Sequence, residues 1–125
     1  MNAQNIIDSF KKTFPGKRIV CIPEHNPSEI ICEIDPSSLH PSYSKAFAAI
    51  KRSRPHYHKI ARETYKVKEG VLKLHIDSDT LTLMPGESHT VLPLQVHFAE
   101  GDFTIVDVYS EYGWTPEDHY LVEDQ

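Results

Sequence analysis

The sequence predicts an all-β fold, a sandwich or barrel, carrying one short N-terminal helix. Three observations lead there. From Lys17 onward, short runs rich in Val, Ile, Thr and aromatic residues recur at regular spacing. Turn residues separate them: Pro23, Asn26 and Pro27, then Gly70, Pro85-Gly86 and Gly101. Apolar residues at unambiguous helical spacing occur between Asn2 and Phe14.

In chain order, Ile6, Ile7, Phe10 and Phe14 form the apolar stripe of that helix, which Pro15-Gly16 ends and which is expected to pack on the outside of the domain. Lys17–Ile22 and Glu29–Ile34 follow as strands. Ser44–Ile50 reads two ways. Its alanines favour helix by propensity, whereas Ser44, Ala46, Ala48 and Ile50 alternate as in a strand. We expect a strand, because Pro55 and a histidine pair follow directly. Further strands are expected at Thr64–Lys68, Val71–Ile76 and Thr80–Leu83, with a hairpin turn at Asp77-Ser78-Asp79. Ser88–Leu92, Val96–Ala99 and Phe103–Tyr109 complete the set, the last two separated by a turn at Glu100-Gly101-Asp102. In the tail, Thr115 reads as an N-cap, Pro116 as a first helical residue, and Glu117 and Asp118 as first-turn acids.

A length of 125 residues, 39% hydrophobic and 25% charged, fits one globular domain: an N-terminal helix over residues 1–16 and a barrel over residues 17–125. The net charge of -5 argues against a nucleic-acid partner, and the basic cluster Lys51, Arg52 and Arg54 is too short to reverse that. No apolar run approaches the roughly 20 residues that span a bilayer. Met1 to Asp8 has neither the charged nor the long apolar region of a signal peptide. A cytoplasmic protein without a membrane partner is expected. Cys21 and Cys32 then read as buried reduced thiols, with a disulfide between neighbouring strands as the alternative.

The chemistry concentrates in His56-Tyr57-His58-Lys59-Ile60-Ala61-Arg62-Glu63, closed by Gly70. Alternate residues of a strand face one side, so His56 and His58 can converge, and Glu63 can add an oxygen from the next turn or strand. His97, returning on a later strand, is the fourth candidate. Three imidazoles and one carboxylate with an open position suit Fe(II), Mn(II), Co(II), Ni(II), Zn(II) or Cu(II); geometry and availability choose among them. An open position permits polarisation of a carbonyl, activation of water or binding of dioxygen.

His56, His58, Glu63 and Gly70, at these spacings, resemble the first motif of the cupin superfamily. Gly86, then after five residues Leu92-Pro93-Leu94, and after two more His97, resemble the second in spacing, and only fifteen residues, Val71 to Pro85, lie between the two, as in a small single-domain cupin. The resemblance covers roughly residues 40–110 and implies a double-stranded β-helix, a jelly-roll barrel. It also implies that His56, His58, Glu63 and His97 hold a divalent transition metal. The sequence departs from the motifs at Ile50, Leu92, Leu94 and Gly101, where the family has glycine, proline, glycine and asparagine; these changes touch turns and barrel rim rather than ligand atoms.

Two further side chains are candidate catalytic residues. Tyr65 faces the same side as Glu63 and can donate to a bound oxygen, or simply line the core. Arg54, like Arg52 on the strand before His56, can clamp a carboxylate or phosphate, or lie on the surface. Trp114 can cover the barrel mouth; packing on the exterior is the plainer expectation. His25, His40, His89 and His119 read as surface or core histidines, and His75 as solvent-facing or on a rim. Three functions follow from the resemblance: a metal-dependent isomerase or epimerase acting on a small polar metabolite such as a sugar, an Fe(II) dioxygenase, or a non-catalytic small-ligand-binding barrel. The edge strands between Lys17 and Ile34 are candidates for pairing in a homodimer.

Overall fold

The structure, a computed structural model, describes residues 2–40 and 42–122. One helix, α1 (Ala3–Thr13), opens the chain, capped by the Asn2 side chain, which accepts from the Asn5 N–H at 2.9 Å. Its last turn closes where the Phe14 N–H reaches the Phe10 carbonyl at 2.8 Å. Ile6 and Phe10 are buried against Ile30, Cys32 and Ala49, so α1 straps the outer face of the sheet, as its apolar stripe predicts.

Ten strands follow: β1 (Ile19–Ile22), β2 (Glu29–Asp35), β3 (Tyr43–Arg52), β4 (His56–Tyr57), β5 (Arg62–Glu69), β6 (Leu72–Ile76), β7 (Asp79–Leu83), β8 (Ser88–Val91), β9 (His97–Glu111) and β10 (Tyr120–Leu121). All pairings are antiparallel, and β9 is the spine. One side of β9 pairs with β3 and, beyond a break, with β4; the other pairs with β5 and then β6. β8 adds to β5, and β7 to β6, while β2 and then β1 extend the sheet beyond β3, leaving β1 at an edge. The sheet curls around an apolar interior that includes Ala48, Ile50, Tyr65, Val67, Leu74 and Val106. This is a mostly β, jelly-roll architecture, a double-stranded β-helix with one N-terminal helix.

The ambiguous segment is a strand. Ala48 and Ile50 of β3 face the interior while Phe47 and Ala49 face α1, so both faces are covered. Its alanines serve close packing between two layers, which outweighs their helix propensity. The expected turn at Glu100-Gly101-Asp102 is not one: β9 runs through it unbroken. Register shifts absorb the irregularity there, between Ile50 and Arg52 on the β3 side and between Val67 and Glu69 on the β5 side. The bulged strand bends and changes partner without ending. A side chain at Gly101 would collide with that of Thr104, and Phe103 adopts φ 52°.

The tail forms a single 3-10 turn, Pro116–Asp118, with Thr115 at its N-cap and Pro116 first as expected, though the Thr115 side chain makes no cap bond. Cys21 and Cys32 are unbridged thiols. No helix among the described residues is long and apolar enough to cross a membrane.

Candidate metal centre

His56, His58, Glu63 and His97 are all buried, and each offers a ligand atom lying within 4.8 Å of the others. The topology brings them together. His56 opens β4 directly opposite His97 at the start of β9, and Glu63 stands near the start of β5, across from Ser110 of β9. His58 lies just beyond β4 rather than on it. The His58 segment is tied down by the Leu94 N–H, which donates to the His58 carbonyl at 2.7 Å.

Each imidazole is fixed by its Nδ1. That of His56 donates to the Arg54 carbonyl at 2.7 Å, that of His58 to the Asp118 carbonyl at 2.6 Å, and that of His97 to the Gln95 carbonyl at 3.0 Å. A carbonyl only accepts, so in the neutral ring the proton sits on Nδ1 and Nε2 carries a lone pair. All three Nε2 atoms face one carboxylate oxygen, Glu63 Oε1, at 3.8 Å for His56, 2.8 Å for His58 and 2.9 Å for His97. Lone pair against lone pair at such distances is repulsive unless a proton or a cation stands between. Protonating every ring would gather three positive charges around one buried carboxylate, whereas a single divalent cation satisfies all four donors together. The cluster therefore could hold a metal ion, and carbonyl-anchored imidazoles are the usual support of one. Burial pulls the His58 ring toward neutrality, but the hydrogen bond and charge of Glu63 outweigh it and the net shift is upward. Burial pushes the Glu63 carboxyl up, yet the three imidazoles facing it, His56, His58 and His97, favour its ionised form and hold it well below the usual carboxylate range.

Tyr65 lies where its position predicts, buried edge-on to the His97 ring with centroids 6.1 Å apart. Burial, then the charge of Glu63, keeps its phenol protonated far above neutral pH, so it is a donor. Arg54 is exposed in the segment between β3 and β4, where its carbonyl accepts from His56 Nδ1. Arg52 lies over the Phe98 ring at 5.1 Å.

Two tail residues have roles here that their sequence signals, a first-turn acid for Asp118 and a surface or core histidine for His119, did not indicate. The Asp118 carboxylate accepts from the N–H groups of Lys59 (2.8 Å), Ile60 (3.1 Å) and Ala61 (2.9 Å) while its carbonyl holds His58. Burial raises its carboxyl, but those three donors outweigh it and the net shift is downward. A first-turn acid is an ordinary helix-start signal, and nothing local distinguishes this one. His119 stacks on His56 with centroids 4.6 Å apart and 23° between planes. Burial, then the charges of His56 and His58, lower its pKa to about 4, so the ring is neutral. The Trp114 Nε1–H donates to His119 Nδ1 at 3.3 Å, so Trp114 faces the site's edge rather than the barrel exterior alone. His75 stands on the outer surface, bonded to Glu100 at 2.8 Å and stacked on Phe98.

No family profile and no curated protein matches the chain. Solved structures do. Pac13, described as a unique nucleoside dehydratase, superposes with a TM-score of 0.74 at 13% identity, over 86% of this chain and 85% of that one. A double-stranded β-helix protein from Klebsiella pneumoniae gives 0.67 at 19% identity, over 86% and 98%. The polyketide cyclase RemF from Streptomyces resistomycificus gives 0.64 at 14% identity, over 78% and 73%. A Streptomyces Pac13 variant with uridine matches with a TM-score of 0.70 at 14% identity, over 77% and 79%. At these identities the likeness is one of fold, and it agrees with the strand order: this chain folds as a double-stranded β-helix.

Proposed function

We propose that this protein is a metal-dependent enzyme acting on a small, polar, oxygen-rich metabolite by proton transfer, in the manner of an isomerase or epimerase. The observation that carries the reading is the convergence of three carbonyl-anchored imidazoles on one oxygen of Glu63. Such a centre, when loaded with a divalent transition metal, supplies Lewis acidity that polarises a carbonyl of the ligand. The protein's own groups complete the site. The Tyr65 phenol stays protonated and donates a hydrogen bond to a ligand oxygen. The neutral His119 ring, accepting from Trp114 at Nδ1, carries its own proton on Nε2 as a second donor. The activities named for Pac13 and RemF, dehydration of a nucleoside and cyclisation of a polyketide, favour proton-transfer chemistry over oxidation.

We propose that the helix (1–16) and barrel (17–125) form one domain and that the edge strand β1 pairs with a second copy to form a homodimer, which sedimentation at micromolar concentration tests. The enzymatic reading is tested by incubating the metal-loaded chain with a panel of aldoses and ketoses in deuterated water. We expect deuterium incorporation at a carbon next to a carbonyl, abolished in His58→Ala. Absence of exchange across the panel, with metal bound, would instead favour a non-catalytic barrel.

A further inference from the structure

A cavity of about 250 Å³, open on one side, has a lining that includes Ser28, Glu29, Arg52, Ser53, Arg54 and Pro55. Along the chain this lining runs directly into the His/Glu centre. Pro55 precedes His56, and its carbonyl accepts from the Val122 N–H at 3.0 Å, so the tail forms a wall of this cavity. Glu29 faces the barrel interior: Ile31, two residues on, packs against the interior apolar cluster, while Ile30 and Cys32 face α1. Glu29 feels the charge of Glu63, and Tyr65 in turn feels that of Glu29.

Two features of the lining have no structural explanation. Arg54 makes no ion pair or side-chain hydrogen bond among the described residues, although a carboxyl lines the same cavity. Glu29 likewise stands without an ion-pair partner there, at a half-buried position. An arginine and a carboxyl held apart across a cavity are poised for a molecule that bridges them.

We propose that this cavity takes the anionic end of the ligand, a carboxylate or a phosphate, with Arg54 supplying the charge and Glu29 a second contact, while the ligand's other oxygens reach the His/Glu centre. The inference rests on the reading of that centre as a ligand-holding site. A guanidinium pairs with a planar carboxylate or a phosphate through two parallel bonds. A carboxylate at Glu29 would repel such a group, but its acid form donates to it. Burial first, then the charge of Glu63, raise the Glu29 carboxyl to about 7 against the opposing pull of Arg54. The charged and titratable groups facing it are Arg52 at the end of β3, Arg54 in the segment after it, and Glu63 and Tyr65 from β5; the end of β1, the residue after it and the tail contribute the apolar Ile22, Pro23 and Val122. Ligand binding is then coupled to proton uptake and weakens as pH rises through about 7.

The test is a titration of the full, metal-loaded chain with inorganic sulfate and, separately, with glycolate, followed by amide NMR shifts at pH 6 and pH 8. Both probes keep a fixed charge over that range, and the one bound more tightly tells a phosphoryl from a carboxylate ligand. We expect shifts at Ser28, Glu29 and Arg54 and weaker binding at pH 8. Arg54→Gln should weaken binding roughly tenfold. Glu29→Gln should keep binding while losing its pH dependence, and His58→Ala should retain it. Binding unchanged by Arg54→Gln, no binding of either anion, or binding lost only in His58→Ala would overturn the inference. That last result would place the anion at the metal centre and leave the proposed function standing; a wild-type chain that takes up no metal would remove the proposed function instead.

Discussion

The two polar regions of this barrel are opposites in construction. At the metal centre every imidazole is held by a backbone carbonyl, and all point at one oxygen. In the cavity, Glu29 and Arg54 share a lining without touching. The first is arranged to suit a point charge; the second leaves its charges apart for something larger. A site that must fix a cation's geometry locks its donors, whereas a site that receives a ligand keeps them open.

The contrast breaks most visibly by substitution at the locked region. His97→Ala or Glu63→Ala should abolish metal retention through gel filtration, read by elemental analysis. Asp118→Ala should come next: it strips three backbone N–H groups of their acceptor, and we expect a loss of about 2–4 kcal/mol in denaturant unfolding together with a 10–100-fold drop in metal affinity. Retained affinity would mean that the 59–61 turn holds His58 without help.

The open region should respond to pH. The Glu29 carboxyl is raised in the folded chain from 4.5 to about 7. The folded state thus keeps a proton that the unfolded chain releases, so this contribution to stability is present below about pH 4.5 and is lost as pH rises through about 7. Denaturant midpoints of Glu29→Gln should show a flatter slope over that window; identical slopes would place Glu29 in water.

A smaller effect is expected at Leu94, which occupies the left-handed region at φ 72° while 65% exposed. Leu94→Gly should relieve about 1–2 kcal/mol of strain and cost about 0.5–1 in unfolded-chain entropy, a net gain of about 0.5–1 kcal/mol. The smallest change belongs to Arg54→Gln, which should leave metal content unchanged and stability within about 0.5 kcal/mol.

Leu94 also shows what the sequence could reveal. It stands where the second motif has glycine, and the backbone still takes the glycine-like conformation, so the motif's geometry outlasts its residue. The strands and the ligand cluster were legible because period-two alternation and histidine spacing are local signals, and a known motif supplied their closure through His97. Asp118 and His119 were not, because they meet the 56–61 segment only through the pairing of β10 with β4, and a two-residue strand leaves no periodic trace. The bulge that carries β9 past Gly101 was misread as a turn because glycine marks both. Glu29 was passed over as a strand residue, since its inward direction depends on which face of β2 the helix covers.

The central claim is that His56, His58, Glu63 and His97 hold one divalent cation. Its most direct test is elemental analysis of the untagged, chelator-stripped chain after separate reloading with iron, manganese, cobalt, nickel, zinc and copper, beside His58→Ala treated identically. One ion per chain in the wild type for at least one metal, and none in the variant, is the predicted result. A wild type that retains none of them, or a variant that retains as much, would contradict it.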